Sequence, residues 1–524
     1  MEHETLDQPP LPESGASEAG ISRNLVLLFG ATVFLSAFLL FQVQPLIARL
    51  ILPWFGGSAA VWATCMLFFQ LVLLLGYLYA HWITSHLSAN RQVLLHAGLL
   101  AASLLLLPIT PNAAWKPSGG ANPTLGILGL LGVTVGLPYF LLSTTGPLVQ
   151  AWYARATRGQ LPYRLFALSN FASLLALLSY PPLVEPYLAT RNQALGWSAA
   201  FVVFAALAVA SGLRSRRAGG MAGIGTPEPV EDAGPAPSPG ERLMWIALPA
   251  CASAMLLAVT NHLTQDVASI PFLWILPLAL YLLSFVLSFD APGWYRRWPY
   301  MVALAIAISG MTYRLWDDER LTELKAIIAL YTVGFFVCCM FCHGELARRK
   351  PHPRYLTSFY LMMSVGGALG GVFVGLVAPY LFVGSFELPV SIAVCILLAI
   401  HVLYWDAGSP FRGGRRIWAW CLFAAFAAGN CGLLVNSARQ WTSGARLVVR
   451  NFYGGLRVSD VAGDDGDPGY RKLLHGNIDH GEQSLDPVRA KEPATYYCRD
   501  SGVGFALKEA AAQGPMRVGV VGLG

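Results

Sequence analysis

Charge is what this chain has least of. Lys, Arg, Asp and Glu make up 12% of its 524 residues, about half of the quarter usual in soluble domains. That excludes a water-soluble fold for most of the chain. Motif chemistry is equally sparse: no Walker loop, no Ser-His-Asp order, no metal-ligand spacing and no nucleic-acid motif stands out. The net charge of +6 comes from short basic loops, so nucleic acid is not expected as a partner. Polar stretches hold almost no cysteine. Eight of the nine cysteines (65, 251, 338, 339, 342, 395, 421, 431) lie in apolar segments and read as small buried hydrophobes, which excludes a disulfide framework. Only Cys498 lies in a polar stretch. A secretory signal is also missing: residues 1–22 are polar, acidic and rich in Pro, Ser and Glu, and read as a disordered tail.

What the chain has in quantity is apolar surface. Hydrophobic residues reach 55%, with 15 Trp, 20 Tyr and 27 Phe. Apolar runs recur at close to the roughly 20 residues that a bilayer core requires. Their cores are Leu25–Val43, Ala59–Ala80, Val93–Leu107, Leu125–Leu148, Leu165–Tyr180, Ala194–Leu213, Leu243–Thr260, Pro271–Phe289, Tyr300–Tyr313, Ala326–Cys342, Leu356–Phe382, Leu388–Tyr404 and Ile417–Leu434. The expected fold is therefore an α-helical polytopic membrane bundle of about thirteen spans. Residues 214–242 form a polar linker that divides the bundle into a first half, 23–213, and a second half with the last span, 243–437. Two six-span halves plus one is the outline of a major-facilitator-like transporter.

Loop charge sets the orientation. Arg155, Arg158 and Arg164, then Arg214, Arg216, Arg217 and Arg242, then Arg296 and Arg297, then Arg348, Arg349, Lys350 and Arg354, and finally Arg412, Arg415 and Arg416 all fall in even-numbered loops. The positive-inside rule makes that side the cytoplasm, with the N-terminus inside. Thirteen spans then place the C-terminal region outside.

That region, 438–524, is the one long stretch that does not look like membrane. Arg450–Val458 reads as a strand, Lys472–His475 as a second short run, and Phe505–Ala512 as a helix. Met516–Gly524 reads as a buried strand entering a glycine turn, because Val518, Val520 and Val521 are β-branched. Gly522 and Gly524 sit where the backbone would meet a dinucleotide or nucleoside cofactor. An ordinary tight turn fits the same residues.

Longer motifs point to a family. Phe34–Arg49, Leu52–Trp62, Leu142–Pro147, Ala167–Asn170, Tyr180–Pro186, Thr260–Asp266 and Cys342–Leu346 resemble bacterial fused transporter-like/spermidine-synthase-like integral membrane proteins. In the C-terminal region, His475–Gln483, Tyr496-Tyr497 and Gly522-Leu523-Gly524 resemble the start of a spermidine-synthase-like domain. His480, Cys498 and Arg499 stand where that family has Asp, His and Glu. The resemblance implies a small β-region followed by an S-adenosyl-type Rossmann fold, here cut off at its first strand. It implies a decarboxylated S-adenosylmethionine-type donor and a polyamine-related transferase activity in a bacterial-type inner membrane. Gln483, Tyr497, Gly522 and Gly524 would be cofactor-binding; no catalytic residue is assigned. The alternative is a transporter or binding protein for a small amine-like solute, with a degenerate accessory domain.

Within the bundle, ionisable and amide side chains are the functional candidates, because placing them in lipid is costly. Asn261, Gln265 and Asp266, beside His262, cluster at the end of the seventh span. Glu185 lies between prolines at the end of the fifth, Glu345 and His343 at the end of the tenth, and Arg49 after the first, where it can pair with an acid. Capping at helix ends is the competing reading. Cys339–His343 spells the haem attachment pattern Cys-x-x-Cys-His; in an apolar helix it reads as a buried cysteine pair. His475, Asp479, His480 and Glu482 offer ligand types without a strong metal spacing. Gly366-Gly367-Ala-Leu-Gly370-Gly371 reads as a close helix-packing face.

Overall fold

The structure is a computed structural model. It describes residues 23–117, 123–157, 163–221, 236–266, 271–289, 293–317, 323–352, 355–406, 408–463, 468–476 and 478–519. The expected tail, 1–22, lies outside these residues.

Ten helices among the described residues are long and apolar enough to cross a membrane. The first half of the chain contains α1 (Arg23–Phe55), α2 (Ala59–His86), α3 (Ala89–Leu104), α4 (Pro123–Leu131), α5 (Leu137–Ala156), α6 (Tyr163–Ser179) and α7 (Thr190–Met221). The second half contains α8 (Pro239–Asp266), α9 (Pro271–Phe289), α10 (Arg297–Trp316), α11 (Leu324–Arg348), α12 (Leu356–Val372), α13 (Ala378–Leu381), α14 (Glu387–Trp405) and α15 (Ile417–Thr442). Helices α4 and α5 are one span, joined by a π-turn at Gly132–Gly136, and α12 runs into α13 through another at Phe373–Val377. The spans expected at Val93–Leu107, Pro271–Phe289 and Tyr300–Tyr313 form helices α3, α9 and α10. Helix α3 has 16 residues, too few to cross unaided, and the described apolar run of α9 is short, at Leu273–Phe289. Arg297 and Arg314 lie inside α10 and lower its apolarity.

The two halves repeat one packing scheme. In the first, α1 packs on α5, α6 and α7, α2 on α5, and α3 on α7; in the second, α8 packs on α11, α12 and α14, α9 on α11, and α10 on α14. The matching helices α6 and α12 both end in a π-turn, at Tyr180–Val184 and Phe373–Val377. The halves meet where α2 lies on α12 and α6 on α9, a pair of contacts that the same correspondence interchanges. Helix α15 packs on α10 and α14, at the edge of the second half.

Apolar burial does not by itself join helices in lipid, so close packing matters. Trp62 of α2 stacks on Trp274 of α9, ring centroids 5.1 Å apart. Gly366 and Gly370 bring α12 onto the backbone of α8, since a Cβ at either would collide with the carbonyl of Ile246 or Ala250. The glycine face thus packs helices. Beside it, Gln70 Nε2 of α2 donates to Ser253 Oγ of α8 at 2.9 Å, and Ser253 donates to Gly367 O of α12 at 2.8 Å, which ties the halves together.

Two residues after α15 the chain enters a four-stranded antiparallel sheet in the order β1 (Ala445–Asn451), β2 (Gly454–Val461), β3 (Tyr470–His475), β4 (Ile478–Ser484). Arg450–Val458, expected as one strand, is a hairpin instead: the chain turns at Phe452-Tyr453 and Gly454 takes φ +143°, while Val449 pairs with Leu456. Side-chain alternation looks alike on both sides of so short a turn, so the sequence hid it. Helix α16 (Gly502–Ala512) covers the expected Phe505–Ala512. In the expected final strand, Met516–Gly519 pairs with no other strand among the described residues and Val518 is exposed; β-branched residues favour a strand only where neighbours exist to pair with.

The sheet is pinned to the bundle. Arg450 of β1 reaches Glu387 at the start of α14, Nη2 to Oε1 2.6 Å, and donates to Gly384 O; both side chains of the pair are buried. Arg457 donates to Trp441 O at 3.1 Å.

Candidate functional site

A cavity of about 280 Å³ lies between the two halves. Its wall comes from α1, α2, α5 and α6 on one side and from α8, α9, α11 and α12 on the other. Trp62 and Trp274 lie one turn ahead of the first lining residue of their own helices, Met66 and Leu278, and stack on each other at that end. Aromatic rings such as Phe69, Tyr139, Tyr281 and Phe285 alternate with Ser36, Ser143, Ser173 and Thr145. The serines and Thr145 spend their hydroxyl protons on backbone carbonyls: Ser36 on Leu142 O at 3.1 Å, Ser173 on Ser169 O at 3.0 Å. Their oxygens keep acceptor capacity.

Two deeply buried lining side chains are less satisfied, and the half-buried Gln70 of α2 also has an Oε1 without a hydrogen-bond partner among the described residues. Gln44 of α1 is 3% exposed. Its Nε2 donates to Leu40 O and Tyr139 Oη, each at 3.3 Å, and its Oε1 has no hydrogen-bond partner among the described residues. His343 of α11 is 1% exposed. Its Nδ1 bonds Ser284 Oγ at 2.9 Å, its ring meets Tyr281 edge-on at 4.8 Å, and its Nε2 is likewise unpartnered. A buried polar atom without a partner costs about 1–3 kcal/mol, so these two atoms mark where a ligand or water would bond. Among the described residues, no Asp, Glu, Lys or Arg lines it.

Among the described residues, His343 is the one functional candidate singled out by sequence that lines this cavity; the others fall elsewhere, in separate places. Glu345, fully buried, accepts from Arg297 through both oxygens, Nε to Oε1 at 2.6 Å and Nη2 to Oε2 at 2.7 Å. It also accepts from Arg349 Nη1 at 2.6 Å and Tyr295 Oη at 2.9 Å. Asp406, at the end of α14, completes the cluster with Arg297 at 2.8 Å. That guanidinium holds the Asp406 carboxyl down to about 2. Two of the arginines counted as loop charge are thus structural. Arg49, which lies inside α1 where the sequence placed it after the span, pairs with Glu185 at 3.0 Å.

Asn261 is buried with Oδ1 unpartnered. Gln265 donates to Ser385 Oγ at 3.0 Å and, with His262, Arg314, Trp441 and His475, lines a smaller cavity of about 130 Å³ between the bundle end and the sheet. Asp266 is the last residue of α8; its side chain lies outside the description. In the C-terminal region, Gln483 donates to Ala490 O at 3.1 Å and the Tyr497 ring packs on Tyr496 at 4.5 Å. Gly522 and Gly524 lie outside the described residues. Asp479 and Glu482 flank Lys472, at 3.0 and 3.9 Å.

Sequence reasoning missed the cavity glutamine and a cluster of thiols. Cys251 of α8, Cys342 of α11 and Cys395 of α14 are all buried, with Sγ atoms within 4.8 Å of one another. Gln44 looks like any amide in a long helix, though a glutamine inside an apolar run is itself the signal. The cysteines are about fifty or more residues apart, and only the fold unites them.

No protein-family model matches this chain, and no curated protein matches it. What stands is an integral membrane protein: a multi-span helical bundle followed by a small antiparallel sheet.

Proposed function

We propose that the bundle binds and moves a small, uncharged, hydrogen-bonding solute through the cavity between its halves, with the C-terminal region docked on it as an accessory. The observation that carries this reading is the pair of unpartnered buried atoms, Gln44 Oε1 and His343 Nε2, one on each half of the same cavity wall. A solute that bonds both would bridge the halves, which is how binding biases a two-body rearrangement. The volume is near the lower end of small-molecule sites, roughly 300–1,000 Å³. An amine cation is less well served, because a desolvated charge needs a partner and no carboxylate lines the wall.

The packing repeat supports thirteen spans. Helices α9 and α10 occupy in the second half the places of α2 and α3 in the first. The basic loops then put the N-terminus in the cytoplasm of a bacterial-type membrane, the sheet outside, and the Trp62–Trp274 closure toward the outer face.

The test is equilibrium binding to the full chain in lipid nanodiscs, with adenosine as a neutral probe and spermidine as an amine. The reading expects adenosine to bind and Gln44→Leu to weaken it about tenfold, one shared hydrogen bond's worth. Spermidine binding unaffected by Gln44→Leu, with no adenosine binding, would overturn it in favour of the amine alternative.

A second reading keeps the spermidine-synthase-like resemblance of 438–524. The four-strand meander supports it, since a small β-region is what that family places first. On this reading the bundle anchors a transferase domain that uses the decarboxylated S-adenosylmethionine-type donor. Donor binding lost on Gln483→Ala would support it, and donor binding unchanged by that substitution would count against the residue.

A further inference from the structure

The three-thiol cluster lies outside the solute site and invites its own chemistry. Helix α8 packs on both α11 and α14, and there the three helices bring together Cys251, Cys342 and Cys395, with Cys338 of α11 also beside Cys395. All three are free thiols, all three are fully or almost fully buried, and all three sulfurs lie within 4.8 Å of one another. Three sulfurs from three helices converging on one point is a ligand arrangement, whereas a packing role asks only for small side chains. Cys251 has a weak acceptor behind it, Ser391 O at 3.9 Å, which orients its sulfur. His343, the residue after Cys342, stands in the wall of the central cavity with Nε2 unpartnered, so an ion entering that cavity meets a nitrogen donor one residue from the cluster.

We propose that Cys251, Cys342 and Cys395 form a binding site for a soft monovalent cation, Cu(I) in chemical class. Thiolates select soft ions and disfavour Mg²⁺, Ca²⁺ and Mn²⁺, which require oxygen. Structural zinc takes four ligands in a tetrahedron, and the cluster offers three, a number that Cu(I) accepts. Charge points the same way. A monovalent ion that displaces one proton from the three thiols adds no net charge, which a low-dielectric interior tolerates. Binding therefore releases one proton and tightens as pH rises. This site is independent of the solute reading: it requires neither Gln44 nor transport.

The experiment uses the full chain with Cys421→Ala, Cys431→Ala and Cys498→Ala, which removes the cysteines that are not buried. The purified protein, anaerobic and reduced, is titrated with Cu(I) against a chromophoric Cu(I) chelator, and the bound ion is examined by X-ray absorption. The expected result is one Cu(I) per chain with three sulfur neighbours. Cys342→Ser should weaken it by more than about 100-fold, beyond what loss of an outer-shell partner costs, while Cys65→Ala, a buried cysteine outside the trio, leaves it unchanged. Sub-stoichiometric copper, coordination by nitrogen or oxygen, or equal binding by Cys342→Ser would each overturn the proposal. Should Cys342→Ser fail to fold, the parent's coordination number and Cys395→Ser decide in its place.

Discussion

The central cavity and the Arg297–Glu345 cluster are both polar places inside an apolar bundle, and they treat their polar atoms in opposite ways. At Glu345 every charge has a partner: two arginines, a tyrosine and, through Arg297, a second carboxylate. In the cavity the polar atoms are neutral, and two of the most buried lack partners. Full pairing offsets desolvation and holds α10, α11 and the end of α14 in one arrangement. Incomplete pairing leaves bonding capacity that a ligand can use. Buried ionisable groups in a membrane protein are the usual functional suspects, yet here the amide and the imidazole have the better claim.

Breaking the paired side should cost stability. Glu345→Ala leaves Arg297 with Asp406 as its remaining carboxylate and Arg349 without its closest one, and should destabilise the protein by up to about 3–5 kcal/mol, read by chemical denaturation in detergent. The folded fraction should still bind a cavity probe as the parent does. Arg450→Ala should act more locally. Glu387 would lose its charged partner, at a cost of about 2–3 kcal/mol, and protease cleavage within 443–484 should speed up while the bundle remains intact.

The unpaired side should respond in reverse. Gln44→Leu removes an acceptor that has no bond to lose and a donor whose two bonds are long, so stability should change by less than about 1 kcal/mol. Probe binding should fall about tenfold. A variant that unfolds instead would place Gln44 with the structural groups and erase the contrast. The smallest effect is in acid. The Asp406 carboxyl is held at about 2, below its unfolded value of about 3.9. Its contribution is therefore complete above pH 4 and is lost as pH falls toward 2, and Asp406→Asn should flatten that part of the stability profile.

The contrast also explains what the sequence made legible. A span announces itself, because some twenty apolar residues in a row have few other uses: the thirteen apolar runs lie in helices, and ten of the described helices are long and apolar enough to cross. Glu345, Glu185 and Arg49 were visible because charge in an apolar run is rare. Their partners were only partly visible, since Arg297 and Asp406 lie far along the chain from Glu345 and look like ordinary loop charge. Gln44 and His343 gain meaning only when two halves face each other across a space. The thiols are a sharper case: a cysteine in an apolar run is most often a small hydrophobe, and nothing short of the crossing of α8, α11 and α14 distinguishes Cys251 and Cys395 from Cys65.

With the proposed closure at the Trp62–Trp274 stack, the cavity should meet water at the opposite end, where α1 begins, and the most direct test is that reach. Ser36→Cys, placed in the Cys421→Ala, Cys431→Ala, Cys498→Ala chain and sealed in vesicles of known orientation, would be exposed to a membrane-impermeant methanethiosulfonate. Ala252→Cys, buried on α8 away from the cavity lining, is the control. The account predicts that Ser36→Cys reacts from the side of the α1 N-terminus and is protected by a bound probe, while Ala252→Cys stays unreacted. Ser36→Cys as inert as Ala252→Cys from both sides would contradict it.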